Sequence, residues 1–228
     1  MSVITISRQF GSYGDEIAKK VCDTLAYRYF DKTLMLQAAA AAGLSQDEIV
    51  DYSEENYKVR NFLDRLLGGV QTVAQVSVWK EDPQGNRFQE IQNLTEDSAL
   101  QLVQKAVQFA HENGNVVIVG RGGQGLLQDQ PDVLHVRIEA PLEERLERVR
   151  EHWPKDEPRL DVRRSAQDLI QEKDTASAGY IQQYYNVRWD DFKLYHVVIN
   201  TGKVTIEQAA DLIVRMAEQI ALQPASMR

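Results

Sequence analysis

The sequence predicts an α/β fold with a parallel, doubly wound sheet, and three observations predict it. Short apolar, β-branched runs at 2–7, 27–30, 115–119, 133–138 and 195–200 alternate with longer segments of helical periodicity. Four of the five runs read as strands covered on both faces, as parallel sheets require. The first run enters the first helical segment through a glycine-bearing turn in ITISRQFGSYGDEIA, residues 4–18. In such a sheet, ligands bind at the carboxyl ends of the strands.

Taken in order, the strand at 2–7 is followed by a helix at about 14–26 and the strand at 27–30. Helices are expected at 33–42, where five alanines at 38–42 favour one, and, shorter, near 46–52 and 55–67; Ser45 with Glu48 fits a capping box. VAQVSVW (73–79) and NRFQEIQ (86–92) flank Asp82-Pro83-Gln84-Gly85, the composition of a hairpin turn. A helix at 96–113 precedes the strand at 115–119. After the strand at 133–138, Pro141 takes a first helical position ahead of Glu143 and Glu144 and opens a helix over 142–152. A long helix over 162–184, the strand at 195–200 and a helix over 205–221, capped by Thr205 with Gln208, complete the chain.

Two regions break the alternation. Residues 33–94 separate two core strands by more than one crossover needs, and read as a subdomain inserted into a single domain spanning 1–228. Residues 151–191, charged and holding Pro154, Pro158 and Arg163-Arg164, read either as a mobile lid or as a solvated helix-loop-helix.

Composition excludes several classes. The 228 residues are 43% hydrophobic, enough for a sizeable core. With 26 basic and 34 acidic residues the net charge is −8, and no long basic run marks a surface for a nucleic-acid polymer or an anionic membrane. No apolar run approaches the roughly 20 residues of a membrane helix, and Met1-Ser2-Val3 leads straight into a strand, so a soluble cytoplasmic protein is expected. The only cysteine, Cys22, lies on the apolar side of the first helix as a buried structural thiol. The four histidines have no metal-ligand spacing. Trp79, Trp153, Trp189 and the pair Tyr184-Tyr185 read as packing residues.

The chemistry concentrates in the first turn. A helix N-terminus offers unpaired N–H groups and a positive dipole end to an anion. Gly11 and Gly14 let the backbone turn tightly, Ser12 adds a hydroxyl, and residues 11–16, including Tyr13, form the candidate phosphate cradle. The usual loop, G-x-x-x-x-G-K-[ST], ends in a lysine for the β/γ-phosphates and a hydroxyl for Mg²⁺. With Gly11-Ser12 laid on a G-S-G-K-S-T loop, Gly14 stands at the lysine, and Asp15 and Glu16 at the hydroxyls. Arg8 is the candidate to replace the lysine, since a guanidinium holds phosphate oxygens bidentately; the competing reading is an ion pair with Asp15 or Glu16. Asp15 and Glu16 are either carboxylates near a Mg²⁺ ion, Asp15 being the metal candidate, or first-turn acids on the helix dipole. Arg121, in Val119-Gly120-Arg121-Gly122-Gly123, stands at the end of a core strand where a cation can face a phosphate or form a salt bridge. Asp31 is either an N-cap or an acceptor contact.

The strings ITISRQFGSYGDEIAKK, YRYFDK, VVIVGRGGQGLL, HVRIEAPLEERLERV and YHVVINTGKVTIEQAADLI resemble, in content and order, the cytidylate kinase-like family of P-loop nucleoside monophosphate kinases. The resemblance implies a P-loop NTPase-type three-layer α/β/α fold with a five-stranded parallel sheet, an NMP-binding insertion at 33–94 and a lid at 151–191. It also implies ATP, Mg²⁺ and γ-phosphoryl transfer to a nucleoside monophosphate such as CMP or dCMP, with Arg121 on the nucleotide-binding face. The chain departs from the family pattern twice. The acid of the G-R-D string of true cytidylate kinases is Gly122 here, and the lid after Glu172-Lys173-Asp174 runs Thr175-Ala176-Ser177-Ala178-Gly179 without an arginine. Arg163, Arg164 and Arg188 are the lid candidates nearby. The altered loop and lid leave a second class of reading: a non-catalytic nucleotide- or phosphometabolite-binding sensor. A phosphotransferase for a non-nucleotide small molecule is a third.

Overall fold

The computed structural model describes residues 2–30, 72–81, 87–152 and 162–222. Asp31, Trp153, the hairpin turn at 82–85 and the helices expected at 33–42, 46–52 and 55–67 lie outside the described residues. The chain divides into two compact units: among the described residues, 2–29 and 114–222 belong to one, and 30, 72–81 and 87–113 to the other.

The first unit is built on a five-stranded sheet of β1 (Val3–Arg8), β2 (Arg28–Tyr29), β5 (Val116–Val119), β6 (Val133–Glu139) and β7 (Val197–Asn200). Its order is β2-β5-β1-β6-β7, and every pairing is parallel. The register sets Ile4 between Val117 and Leu134, and Ile6 between Val119 and Val136. The strand that leads into the phosphate-loop candidate is thus the central one.

Side-chain alternation gives β1 two different faces. Ile4 and Ile6, with Val117, Leu134, Val136 and Ile138, pack against α1 (Gly14–Leu25) and α6 (Ile206–Leu222) through Ile17, Val21, Ala210 and Ile213. Each of these aliphatic side chains gives roughly 1.5–3 kcal/mol on burial. The other face is buried but polar: Thr5 Oγ1 bonds His135 Nδ1 at 2.7 Å, and Ser7 Oγ accepts from Trp189 Nε1 at 2.8 Å. Trp189 is therefore a packing residue, as expected. Cys22 is buried, and burial pushes its thiol up to about 11.

β1, β5 and β6 are buried on both faces, but β7 is not: Val198 and Asn200 are exposed. The expectation of four fully covered strands fails at β7 because it ends the sheet, where helices cover less of it. Pro141 is corrected by one position: it is the N-cap of α4 (Leu142–Glu151), with φ −55° and ψ 145°. The capping box at Thr205 forms, with Thr205 N–H donating to Gln208 Oε1 at 3.0 Å and Gln208 N–H to Thr205 Oγ1 at 3.2 Å.

Residues 162–185 form one helix, α5 (Val162–Tyr185), whose Ala166 and Ile170 bury against Leu146 of α4 with Phe10 and Val149 alongside. This stretch is a helix with a buried face. In the second unit, β3 (Thr72–Glu81) and β4 (Arg87–Thr95) pair antiparallel, with Val76 opposite Gln92 and Trp79 opposite Gln89. β4 runs directly into α2 (Glu96–Asn113). Among the described residues no helix is long and apolar enough to cross a membrane.

Candidate functional site

The turn after β1 is held from behind. Phe10 C=O accepts from Arg145 Nη1 at 3.3 Å, Gly11 C=O from Arg148 Nη1 at 3.3 Å, and Ser12 C=O from Thr201 Oγ1 at 2.9 Å. In a trans peptide the C=O of one residue and the N–H of the next point in opposite directions. The amides of Gly11 and Tyr13 are therefore turned to the other side. Ser12 N–H bonds Gln9 C=O at 3.2 Å, and helix bonding starts only with Ile17 N–H to Tyr13 C=O at 3.0 Å. Among the described residues the amides of Gly11, Tyr13, Gly14, Asp15 and Glu16 meet no protein acceptor.

These amides border a cavity of about 490 Å³ lined by residues 8–16 with Arg148, Val149, His152 and Leu169. Ser12 Oγ is buried and has no hydrogen-bond partner among the described residues, a cost that an anion's oxygen in the cradle would relieve. Gly11 and Tyr13 have φ of +77° and +64°. At Gly11 a Cβ would also be crowded, 3.1 Å from Val149 Cγ2 and 3.2 Å from the Arg145 carbonyl oxygen. Tyr13 takes the same left-handed region without glycine's freedom, beneath the Arg148 guanidinium at 4.1 Å from its ring centroid.

Arg8 lies at the mouth of this cradle with its side chain mostly buried. Its Nε and Nη2 each approach a carboxylate oxygen of Asp15 at 3.4 Å, and Tyr29 O–H donates to Asp15 Oδ1 at 3.0 Å. Burial, and then the Asp15 carboxylate, push the Tyr29 phenol well above its ordinary value, so it stays a neutral donor. The pairing of Arg8 with Asp15 coexists with a place in the cavity wall. Glu16 is exposed on the same wall.

Arg121 arrives from the end of β5. Gly120, Arg121 and Gly122 have φ of +64°, +62° and +68°, three left-handed residues in succession. An arginine in this region costs of order 1–3 kcal/mol, and such strain concentrates at functional turns. Burial lowers the affinity of its guanidinium for a proton, and the positive charge of Arg8 lowers it further. Two guanidiniums are thus brought within electrostatic reach, an arrangement that an anion stabilises. At Gly122 a Cβ would stand 2.4 Å from Tyr185 Cε2, and at Gly125 a Cβ would stand 2.6 Å from Tyr185 Cγ. The Tyr185 ring fills the space next to this turn.

Of the remaining candidates, Arg188 is exposed and forks onto Asp190 at 3.1 and 2.9 Å. Arg163 and Arg164 lie in the first turn of α5, their side chains outside the description, and Asp31 is outside it altogether. Sequence reading missed Arg145, Arg148 and Thr201, saw Asp174 only as a lid marker, and read Tyr185 as a packing residue without its place beside Gly122. The i, i+3 spacing of Arg145 and Arg148 on a helix just after a core strand was the available signal; contact with the loop was not readable from it.

Two carboxylates, Asp15 and the exposed Glu16, line the cavity, and no cluster of three or more metal-ligating side chains exists among the described residues. That donor set fits Mg²⁺ held mainly by a substrate's phosphates, since this ion commonly uses one or two protein carboxylates. It does not fit an all-protein metal cage. The inward amides and the orphan Ser12 hydroxyl fit phosphate.

Comparison with known proteins gives a family. Residues 3–203 match the cytidylate kinase-like family. No curated protein matches the chain. Among solved structures, an uncharacterized protein from Eubacterium ventriosum is similar in fold, with a TM-score of 0.60 and 20% identity over 96% of this chain and 99% of that one. A sugar kinase from Janibacter sp. superposes with a TM-score of 0.47 and 12% identity over 94% and 93%. A shikimate kinase from Acinetobacter baumannii gives 0.45 and 11% over 98% and 96%.

Proposed function

Because the chain belongs to the cytidylate kinase-like family, we propose that it transfers the γ-phosphoryl group of ATP to a nucleoside monophosphate, CMP or dCMP being the expected acceptors. The observation that carries this reading is the loop itself. Carbonyls 10–12 are held by Arg145, Arg148 and Thr201, and the amides of Gly11 and of residues 13–16, which line the cavity with Arg8, meet no acceptor among the described residues.

Phosphoryl transfer depends mainly on positioning and on positive charge around the three equatorial oxygens of the transferring group. Here the cradle amides and the α1 dipole bind the donor's phosphates, and Arg8 supplies the cation that the consensus lysine would have supplied. Asp15 is the residue that would hold Mg²⁺, which would supply neutralising charge to the phosphates. Arg121 directs a second positive group toward the acceptor phosphate. Arg163 and Arg164 are the lid residues available to close over the donor, with the insertion at 33–94 as the acceptor side.

Isothermal titration with ATP-Mg²⁺, followed by single-turnover transfer from radiolabelled ATP to CMP, dCMP and UMP, tests the proposal. The expected result is binding and label on a pyrimidine monophosphate. Binding with no transfer to any acceptor would replace it with the sensor reading, which Gly14 at the lysine position and the buried Ser177 in the lid favour.

A further inference from the structure

Asp174 stands in the middle of α5, outside the cavity wall, yet its carboxylate reaches the phosphate loop. Oδ1 accepts from Phe10 N–H at 2.9 Å, and Oδ2 accepts from Arg145 Nη1 at 2.6 Å. The same Nη1 donates to Phe10 C=O at 3.3 Å. One carboxylate–guanidinium pair therefore grips both polar groups of residue 10. The Phe10 side chain is anchored by the same elements, packing on Leu146, Ala166 and Ile170.

We infer that Asp174 is a positioning residue for the anion site: with Arg145 it fixes the Phe10 peptide so that the Gly11 amide faces the cavity and the turn into Ser12 and Tyr13 keeps its left-handed course. The inference rests on the phosphotransferase reading and gives α5 a role that the sequence assigned to charged lid side chains. Neither Asp174 nor Arg145 lines the cavity, so both act through the backbone. A largely buried ion pair with side chains 20% and 8% exposed adds little net stability over apolar packing, and its value lies in geometry. Two consecutive peptides are held: Asp174 fixes the Gln9–Phe10 peptide through Phe10 N–H, and Arg145 fixes the Phe10–Gly11 peptide through Phe10 C=O, whose rotation would swing the Gly11 N–H away from any phosphate oxygen.

The test compares Asp174→Ala with Asp174→Asn in the full chain, by titration with inorganic pyrophosphate and with ATP-Mg²⁺, alongside thermal melting. Both substitutions deprive Arg145 of its carboxylate, so both lower Tm. Only Asn keeps an oxygen for Phe10 N–H. The expected result is a loss of about 10- to 100-fold in affinity for both ligands in Asp174→Ala, with Asp174→Asn within about threefold of wild type. Ile181→Val, a buried α5 change away from the loop, should lower Tm and leave affinity intact. If Asp174→Ala does not fold, Asp174→Ser, too short to reach the Phe10 amide, takes its place with the same expectation. Wild-type affinity in the Ala or Ser variant, or equal losses in Ala and Asn, overturns the positioning role and leaves the site standing. Absence of pyrophosphate and ATP binding by the wild type overturns the site reading, and the inference falls with it.

Discussion

The side-chain stem of Arg8 lies directly over Gly14: a Cβ at residue 14 would stand 2.5 Å from Arg8 Cβ and 2.6 Å from Arg8 Cγ. Gly14 has no left-handed φ, so glycine is required there for space and not for backbone freedom. The consensus lysine and Arg8 as it sits here are mutually exclusive. The space that a side chain at residue 14 would need is filled by a cationic residue from the end of β1.

Gly14→Ala and Gly14→Lys should therefore destabilise the fold by about 1–3 kcal/mol, as overpacking does. Restoring the consensus lysine is expected to weaken ATP-Mg²⁺ binding. Arg8→Ala should not rescue Gly14→Ala, because the Arg8 Cβ is itself the nearest atom, whereas Arg8→Gly should relieve part of the strain. Urea denaturation of the single and double variants decides the matter; wild-type stability in Gly14→Ala would refute the packing account.

Arg8→Ala should impair ATP-Mg²⁺ affinity by roughly 10- to 100-fold, the loss of a charge-assisted contact of about 1.5–3 kcal/mol. Lys19→Ala and Lys20→Ala should change it little. Both lysines are exposed, and Lys20 faces Glu207 at 3.2 Å, away from the cavity. Calorimetric titration of the three variants gives the comparison, and equal affinities would remove Arg8 from the site.

Gly122→Asp places an acid in the turn after β5, but into the Tyr185 ring and onto a residue with φ +68°. It should cost about 2–4 kcal/mol from overlap and backbone strain together. Tyr185→Ala should recover the overlap part, giving a favourable coupling in a double-mutant cycle. Additive effects of the two substitutions would show that the ring does not exclude the acid.

His135 sets an acid limit on stability. Burial first, and then the neighbouring His196, hold its imidazole down to about 4, while it bonds Thr5 and the Leu127 carbonyl. In the unfolded chain the ring takes up a proton as the pH falls through about 6.5, so the unfolded state binds more protons between these values. Its stabilising contribution, roughly 3 kcal/mol, is complete above pH of about 6.5 and is lost as the pH falls toward 4. Denaturant titrations from pH 7 to pH 4.5 should show this slope, and His135→Gln should flatten it. An unchanged slope in that variant would assign the acid sensitivity elsewhere.

Strand and helix order were legible because periodicity and apolar runs are local properties. The turn at 11–16 was legible from its glycines and the helix that follows, whereas the central position of β1 came only from its pairing with β5 and β6. The exposure of β7 was not legible: an edge strand can carry the same Val-Val-Ile composition as a central one, and only the pairing partners distinguish them.

The sequence by itself determined the alternation of elements, the family and the residues that could meet a phosphate, since each depends on residue type and spacing along one segment. Only the tertiary structure decided how the loop presents its amides. That orientation is set by Arg145 and Arg148 from α4, Asp174 from α5 and Thr201 after β7, which lie 135, 137, 164 and 189 residues beyond their partners in the loop. It also decided why Gly14 and Gly122 are glycines, because the space around each is taken by a side chain from another element, Arg8 and Tyr185. Local pattern specifies which groups a backbone can offer, whereas the direction in which it offers them is a balance of contacts that exists only once the distant elements have packed.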